Sequence, residues 1–318
     1  MAPVYKIALI QLQPKDVAVA ENFAKAESYI RKAAAQGAHL AVLPEYHLTS
    51  WCPEHAEFVS SSAESAEYLP RYQALARELN INIVPGTICE VHPLSSADGS
   101  LAPDDNNKLV NGKPVELRNM AYWISARTGT ISGTYQKKNL WHPERPHLAA
   151  GFHIPHTAFD TPLLHTDGRP IRAGLLVCWD LAFPEAFRGL VADGAELVVI
   201  PSWWHLTDVD PTARALNPLC EKVFLESATV ARAFENTCAV AFCNAGGVSQ
   251  VAVPILGAIG GTVEVEVEEM RVVEVDFGVL GVAEGNYKVR QDMRGMGWHY
   301  GYTLYKDGTG KGKGHTEL

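Results

Sequence analysis

Short apolar runs alternate with helical periodicity along this chain, and that alternation confines it to the α/β class. A strand–helix–strand repeat builds parallel strands with helices laid over them. Lys6 to Gln11 reads as a first strand. Phe23, Ala26, Ile30 and Ala33 then share one helical face, with Glu27 and Arg31 spaced as an i,i+4 pair and Gly37 ending the helix. Leu40 to Leu43 is the next strand, and Tyr68, Tyr72, Leu75, Ala76 and Leu79 mark a second helix. A strand over Ile81 to Val84, extended to Cys89, follows it. Val91 to Arg118 breaks the pattern with Asp, Asn, Ser, Gly and Pro, and reads as a surface loop or loose hairpin. Ala121 to Ile124 resumes it, and Thr128-Gly129 turns the chain into Ile131 to Tyr135.

One stretch occurs twice. Gly37-Ala38-His39-Leu40-Ala41-Val42-Leu43-Pro44-Glu45 resembles Gly194-Ala195-Glu196-Leu197-Val198-Val199-Ile200-Pro201-Ser202. Each follows a helix, opens on Gly-Ala and ends in proline after four apolar residues. Two related β–α–β halves follow, whose sheets stack face to face with helices outside.

Composition bounds the partners. The chain has 318 residues, 47% of them hydrophobic and 20% charged, enough for a substantial core. A net charge of -9 and no basic stripe argue against nucleic acid. No run approaches a membrane span, and Met1 to Leu12 has neither a charged leader nor a long apolar stretch. The six cysteines form no Cys-x-x-Cys pair and no metal-ligand spacing, as expected of reduced core thiols. A cytoplasmic protein that takes a small-molecule substrate and no cofactor is the expectation.

The most informative turn lies at Val177-Cys178-Trp179-Asp180-Leu181. Upstream, Ala173 to Val177 reads as a buried strand; downstream, Phe183-Pro184-Glu185 starts a helix with Pro184 in its first turn and Gly194 as its stop. Backbone N–H groups at such a turn favour a thiolate and a developing oxyanion. By position alone Cys178 remains open between a nucleophile and a small buried hydrophobe. The same holds for three other residues. Glu45 follows an apolar strand at its carboxyl end, where α/β sheets place ligands, or is a plain exposed carboxylate. Lys137 sits among aromatics, or is one of two solvated lysines. Glu144 is free for a site, or pairs with Arg145.

Together, Leu43-Pro44-Glu45, Tyr135-Gln136-Lys137 and Cys178-Trp179-Asp180 with Phe183-Pro184-Glu185 and Arg188 resemble the three blocks of the nitrilase superfamily of carbon–nitrogen hydrolases. Ala8 to Gln11, Ala231-Arg232-Ala233-Phe234-Glu235-Asn236 and Tyr287 to Asp292 resemble supporting stretches of that family, so the likeness covers roughly residues 5 to 295. It implies an α/β fold of the four-layer α-β-β-α sandwich type. One domain is expected over 1–305, with a surface insertion at about 91–118 and a flexible tail at 306–318. It implies hydrolysis of a non-peptide C–N bond, in an aliphatic amide or N-carbamoyl compound, through a Cys178 thioester. Glu45 would be the general base and acid, Lys137 the oxyanion stabiliser, and Glu144 the residue that positions Lys137 or water. Nitrile hydrolysis and acyl transfer are the alternatives with the same triad, and Asp180 favours amides, since family nitrilases commonly carry glutamate there. The family also implies a homodimer or larger even assembly, through the helices after Phe183 and around Arg232.

Two departures stand out: the long 91–118 stretch, and Asn139 where many members carry histidine. Trp141, Trp179, Trp203 and Trp204 are candidates for an aromatic substrate pocket, with core packing as the other reading. His142, His147, His153 and His156 fit no usual ligand spacing and read as loop histidines, so no metal is expected.

Overall fold

Alternation along the first strand sets up the layers. Ile7 and Leu9 join one buried cluster while Ala8 and Ile10 join another, as successive side chains of a strand must. The computed structural model describes residues 3–94, 108–110 and 113–295. In chain order its strands are β1 (Val4–Gln11), β2 (Leu40–Val42), β3 (Asn82–Val84), β4 (Thr87–Pro93), β5 (Lys108–Val110), β6 (Lys113–Ile124) and β7 (Ile131–Gln136). They continue as β8 (Phe159–Leu164), β9 (Pro170–Leu175), β10 (Leu197–Ser202), β11 (Ala239–Asn244), β12 (Gln250–Val253), β13 (Gly257–Ile259) and β14 (Glu269–Asp276). The helices are α1 (Val19–Ala35), α2 (Phe58–Ser65), α3 (Leu69–Leu79), α4 (Pro184–Ala192), α5 (Pro211–Leu216), α6 (Cys220–Asn236), α7 (Gly278–Tyr287) and α8 (Val289–Arg294).

Among the described residues one sheet has the order β14-β1-β2-β3-β6-β4, with β5 and β7 also paired to β6; the other runs β13-β12-β11-β10-β9-β8. Each contains three parallel neighbours, β1-β2-β3 and β11-β10-β9. The two copies of the repeated stretch supply the middle strand of each triplet, β2 and β10. The sheets touch at that centre: the buried Cys243 thiol donates toward the carbonyls of Ile10 and Val42, 3.4 and 3.2 Å away. Ala26, Ile30 and Ala33 of α1 and Tyr72, Leu75 and Ala76 of α3 cover one outer face. Phe187 and Leu190 of α4 with Leu225 and Ala233 of α6 cover the other. The result is a four-layer α-β-β-α sandwich, in which each fully buried Ile, Leu or Phe contributes roughly 1.5–3 kcal/mol.

Three elements depart from the sequence reading. The Ile81-to-Cys89 strand is two strands, β3 parallel to β2 and β4 antiparallel to β6, broken at Pro85-Gly86. The 91–118 stretch, expected as a surface loop or loose hairpin, is strand at both ends and partly buried, because β4 and β6 pair antiparallel from Thr87↔Ala121 to Pro93↔Val115 and bury Val115 and Leu117. Its middle, 95–107 and 111–112, lies outside the described residues, as does the 306–318 tail. Helix α2 was not anticipated, since its buried face is Phe58, Ser61, Ser62 and Ser65 rather than an apolar stripe. Ser62 and Ser65 satisfy themselves by donating to the carbonyls four residues earlier, both at 2.8 Å. No helix among the described residues is long and apolar enough to cross a membrane.

Candidate active site

The turn after β9 is held from every side. Cys178 has φ +47°, a left-handed conformation a side chain adopts only when its surroundings dictate it. Asp180, fully buried, supplies much of that constraint. Its Oδ2 accepts from the Val177 N–H and the Tyr135 hydroxyl, both at 2.9 Å. Its Oδ1 accepts from the backbone and side-chain amides of Asn139, at 3.1 and 2.8 Å. Burial raises the Asp180 pKa, and these donors work against that shift. From behind, the Arg232 guanidinium on α6 donates to the carbonyls of Leu181 and Ala182, at 3.2 and 3.5 Å. Helix α4 then begins with Pro184 in its first turn, as the sequence predicts.

Glu45 lies three residues beyond β2, in the first copy of the repeat, and meets the end of the second copy directly. Its N–H donates to the Ser202 carbonyl at 3.3 Å. Pro44 packs so tightly on Gly86 (φ +60°) that a Cβ there would lie 1.8 Å from the Pro44 oxygen, so only glycine fits at this break. Tyr46, also left-handed at φ +52°, anchors the turn by donating its N–H to Thr87 Oγ1 at 3.1 Å.

The carboxylate of Glu45 is fully buried and accepts three hydrogen bonds. Oε1 takes Asn119 Nδ2 at 2.7 Å and Lys137 Nζ at 2.9 Å; Oε2 takes the Trp203 N–H at 2.8 Å. The Cys178 thiol donates to the carbonyl of the same Trp203, at 3.6 Å. One peptide unit on each side of Trp203 therefore links Glu45 to Cys178. Lys137 sits between Asn119, whose carbonyl accepts its N–H at 3.0 Å, and Gly151, which donates to its carbonyl at 2.9 Å. Its ammonium donates to Glu144 Oε1 at 2.7 Å as well as to Glu45. Glu144 is thus paired with Lys137, while the Arg145 side chain donates to the Leu140 carbonyl. Glu144 also accepts from the Tyr46 hydroxyl at 2.6 Å and the Trp141 N–H at 2.7 Å.

Burial dominates the electrostatics. It pushes the Glu45 carboxyl up to about 7, against the pull of Lys137 and Asn119 and with the help of Glu144. It pushes the Cys178 thiol well above its ordinary range, with the Glu45 charge adding to the effect and Lys137 opposing it. Burial disfavours the Lys137 charge too, but Cys178, Glu144 and Glu45 outweigh it, so this lysine titrates well above the usual lysine range. The resting site is a neutral thiol, a firmly charged ammonium, and a carboxyl poised near neutrality.

Cys178, Lys137 and Glu144 line a cleft of about 220 Å³, and the fully buried Glu45 lies behind them, joined to Lys137. All four expected tryptophans line the cleft, and Tyr46 and Trp51 join them. Trp179 packs against Trp141 and Trp204, with ring centroids 4.5 and 5.2 Å apart. Asn244 fixes the Trp203–Trp204 turn by accepting the Trp204 N–H at 2.8 Å and donating to its carbonyl at 2.7 Å. The loop histidines go elsewhere: His142 lies against Trp141, His147 against Trp51, and His156 stacks on Tyr135. Sequence reasoning missed Asn119, Tyr46, Trp51 and Asp208. Tyr46 directly follows Glu45 and is within reach of the sequence; Asn119 lies on β6 between the 91–118 stretch and the strand expected from Ala121, where the sequence assigns no element.

A turn with a left-handed cysteine, a buried carboxylate–lysine–carboxylate chain and an aromatic cleft thus stand together on this sandwich. The carbon–nitrogen hydrolase family profile matches residues 6–283. The chain belongs to that family, within the nitrilase superfamily, and is an amide-hydrolysing enzyme. It is 27% identical over 235 residues to a probable nitrilase of Schizosaccharomyces pombe, covering 72% of this chain and 70% of that one. It is 29% identical over 216 residues to the omega-amidase NIT2 of Homo sapiens, covering 64% and 65%. The matched stretch therefore spans about two thirds of these relatives. Among solved structures, an amidase from Nesterenkonia sp. shares the fold, with TM-score 0.63 and 23% identity over 91% of this chain and 94% of that one.

Proposed function

We propose that the enzyme hydrolyses a linear amide or N-carbamoyl compound through a thioester on Cys178. What carries this is the Trp203 link: a neutral thiol and a carboxyl of pKa about 7 bond to the two adjacent peptide units that flank one residue. Glu45 takes the thiol proton as sulfur attacks the amide carbon. Lys137 Nζ and the Trp179 N–H stabilise the oxyanion. Glu45 then gives its proton to the departing nitrogen, releasing ammonia or an amine and leaving the thioester. Water attacks the thioester, Glu45 takes a proton from it, and the acid and free thiol are regenerated. Glu144 keeps Lys137 in place and offsets its charge. In a glutamate-to-glutamine mutant of the Nesterenkonia amidase the acetamide moiety of fluoroacetamide is added covalently at the active-site cysteine, which supports a nucleophilic role for Cys178.

An ammonia-release assay with primary amides, on wild type, Cys178→Ala and Cys178→Ser, tests this reading. Both variants should stay folded and lose turnover; more than a few per cent residual rate in Cys178→Ala overturns it. We also propose a cytoplasmic homodimer or larger even assembly. The exposed apolar residues Leu219, Val223 and Phe234, at the start of and along α6, support the assembly, and the free thiols of Cys52, Cys178, Cys220, Cys238 and Cys243 support the compartment. Light scattering that finds only monomer at micromolar concentration refutes the assembly.

A further inference from the structure

The cleft has a charge and a surface that select the far end of the substrate. Six aromatic side chains line it: Tyr46, Trp51, Trp141, Trp179, Trp203 and Trp204. Among the described residues the only cation lining it is Lys137, whose ammonium is engaged by Glu45 and Glu144. The remaining charge is an acid. Asp208 stands on the exposed loop after Trp204, lines the cleft, and is held there by the His205 N–H, which donates to Oδ2 at 2.8 Å. A carboxylate has about four acceptor positions, so this contact leaves room for a ligand's donors.

The surroundings make that end of the cleft more negative. Glu221 accepts the Trp204 indole N–H at 2.9 Å, and Glu266 accepts from or pairs with His205 Nδ1 at 2.9 Å. Arg214 is nearby but commits its guanidinium to the Thr207 and Val209 carbonyls, at 2.8 and 3.3 Å, and does not line the cleft. Partial burial raises the Asp208 pKa and Glu266 adds to it, a strain that a bound cation relieves. An acyl chain ending in a carboxylate meets indole faces, an aspartate and no free cation. An ammonium finds both the π-faces that attract cations and a carboxylate to pair with.

We infer that the substrate is an amide or carbamoyl compound whose far end is a positively charged amine, seated between the tryptophan faces and Asp208. This rests on the amidase reading above. A matched series tests it: 5-aminopentanamide, hexanamide and adipic acid monoamide share one chain and end in ammonium, methyl and carboxylate. The ammonium amide should exceed the carboxylate amide in kcat/KM by tenfold or more, and Asp208→Asn should cut that ratio about tenfold. Equal or better use of the carboxylate amide, or a ratio unchanged in Asp208→Asn, overturns the inference. Turnover of hexanamide reports on the amidase reading separately. Should no amide in the series react, calorimetry on Cys178→Ala decides: pentylammonium must bind more tightly than pentanoate, and the reverse order overturns the inference whatever the reaction is.

Discussion

Replacing Glu45 by glutamine removes a proton carrier and almost nothing else in volume. The wild-type carboxylate accepts from Asn119 Nδ2, Lys137 Nζ and the Trp203 N–H. Glutamine keeps one acceptor oxygen and must turn its amide NH2 toward one of those donors. A buried donor left facing a donor costs about 1–3 kcal/mol, so Glu45→Gln should melt a few degrees lower and remain folded. The loss of general acid–base catalysis is larger, on the order of 10²–10⁴-fold. The lower bound of that range corresponds to roughly 2.7 kcal/mol on the barrier. The pH dependence carries the sharper test. Cys178 and Lys137 both titrate well above their ordinary ranges, and Glu45 titrates near 7. Acylation needs Glu45 ionised, so wild-type kcat/KM should rise with pH through about 7 with unit slope. Iodoacetamide labelling of Cys178, with Cys178→Ser as the control, should show the same rise. In Glu45→Gln both rates should fall and the inflection near 7 should vanish. A loss below tenfold, or an inflection that survives the substitution, refutes the assignment of Glu45 as the base.

Asn119→Ala removes a donor that holds the Glu45 pKa down, so the ascending limb should move to higher pH and kcat/KM should fall about tenfold; a limb that moves to lower pH shows that Asn119 does not position Glu45. Gly86→Ala should destabilise the protein by at least about 2 kcal/mol, because a left-handed φ of +60° combines with a Cβ 1.8 Å from the Pro44 oxygen. A melting curve that matches wild type refutes it.

The sequence exposed what depends on local pattern. Periodicity disclosed α1, α3 and the buried central strands, and the repeated Gly-Ala-to-proline stretch disclosed the two sheet halves. The structure adds that the ends of the two copies meet at the site, where the Glu45 N–H donates to the Ser202 carbonyl. Glu45, Lys137 and Cys178 stand out as candidates because each sits in a short local motif, whereas Glu144 lies outside the three blocks and is a candidate only through the resemblance. Asn119 does not stand out, because its role comes from the pairing of β4 with β6, which a run of Asp, Asn and Gly conceals. Helix α2 was hidden for a related reason: serines that satisfy their own hydroxyls can be buried without an apolar signature. Asp208 acquires its meaning only when the Trp203–Trp204 turn folds over the cleft.

Asp180 tests how far a motif can be read as chemistry. By the family resemblance, aspartate at this position implies a preference for amides over nitriles. The structure gives it a different task. Fully buried, it accepts from Val177, Tyr135 and both amides of Asn139, and it does not line the cleft. It can affect the reaction only through the shape of the turn that carries Cys178. Asp180→Glu adds a methylene to a packed site, an overpacking that costs about 1–3 kcal/mol, and it displaces the carboxylate from at least one of its four donors. The Cys178 turn loosens, and turnover should drop for every substrate. The ratio of kcat/KM for an amide and the nitrile of the same acyl chain should stay within about threefold of wild type, because no atom touching the acyl chain has changed. Amide preference then belongs to Lys137 and the Trp179 N–H, which stabilise a carbonyl oxyanion directly, whereas a nitrile adduct must gain a proton on nitrogen. A tenfold swing toward the nitrile in Asp180→Glu defeats this argument, and shows that the turn's geometry, not its hydrogen-bond donors, chooses the substrate.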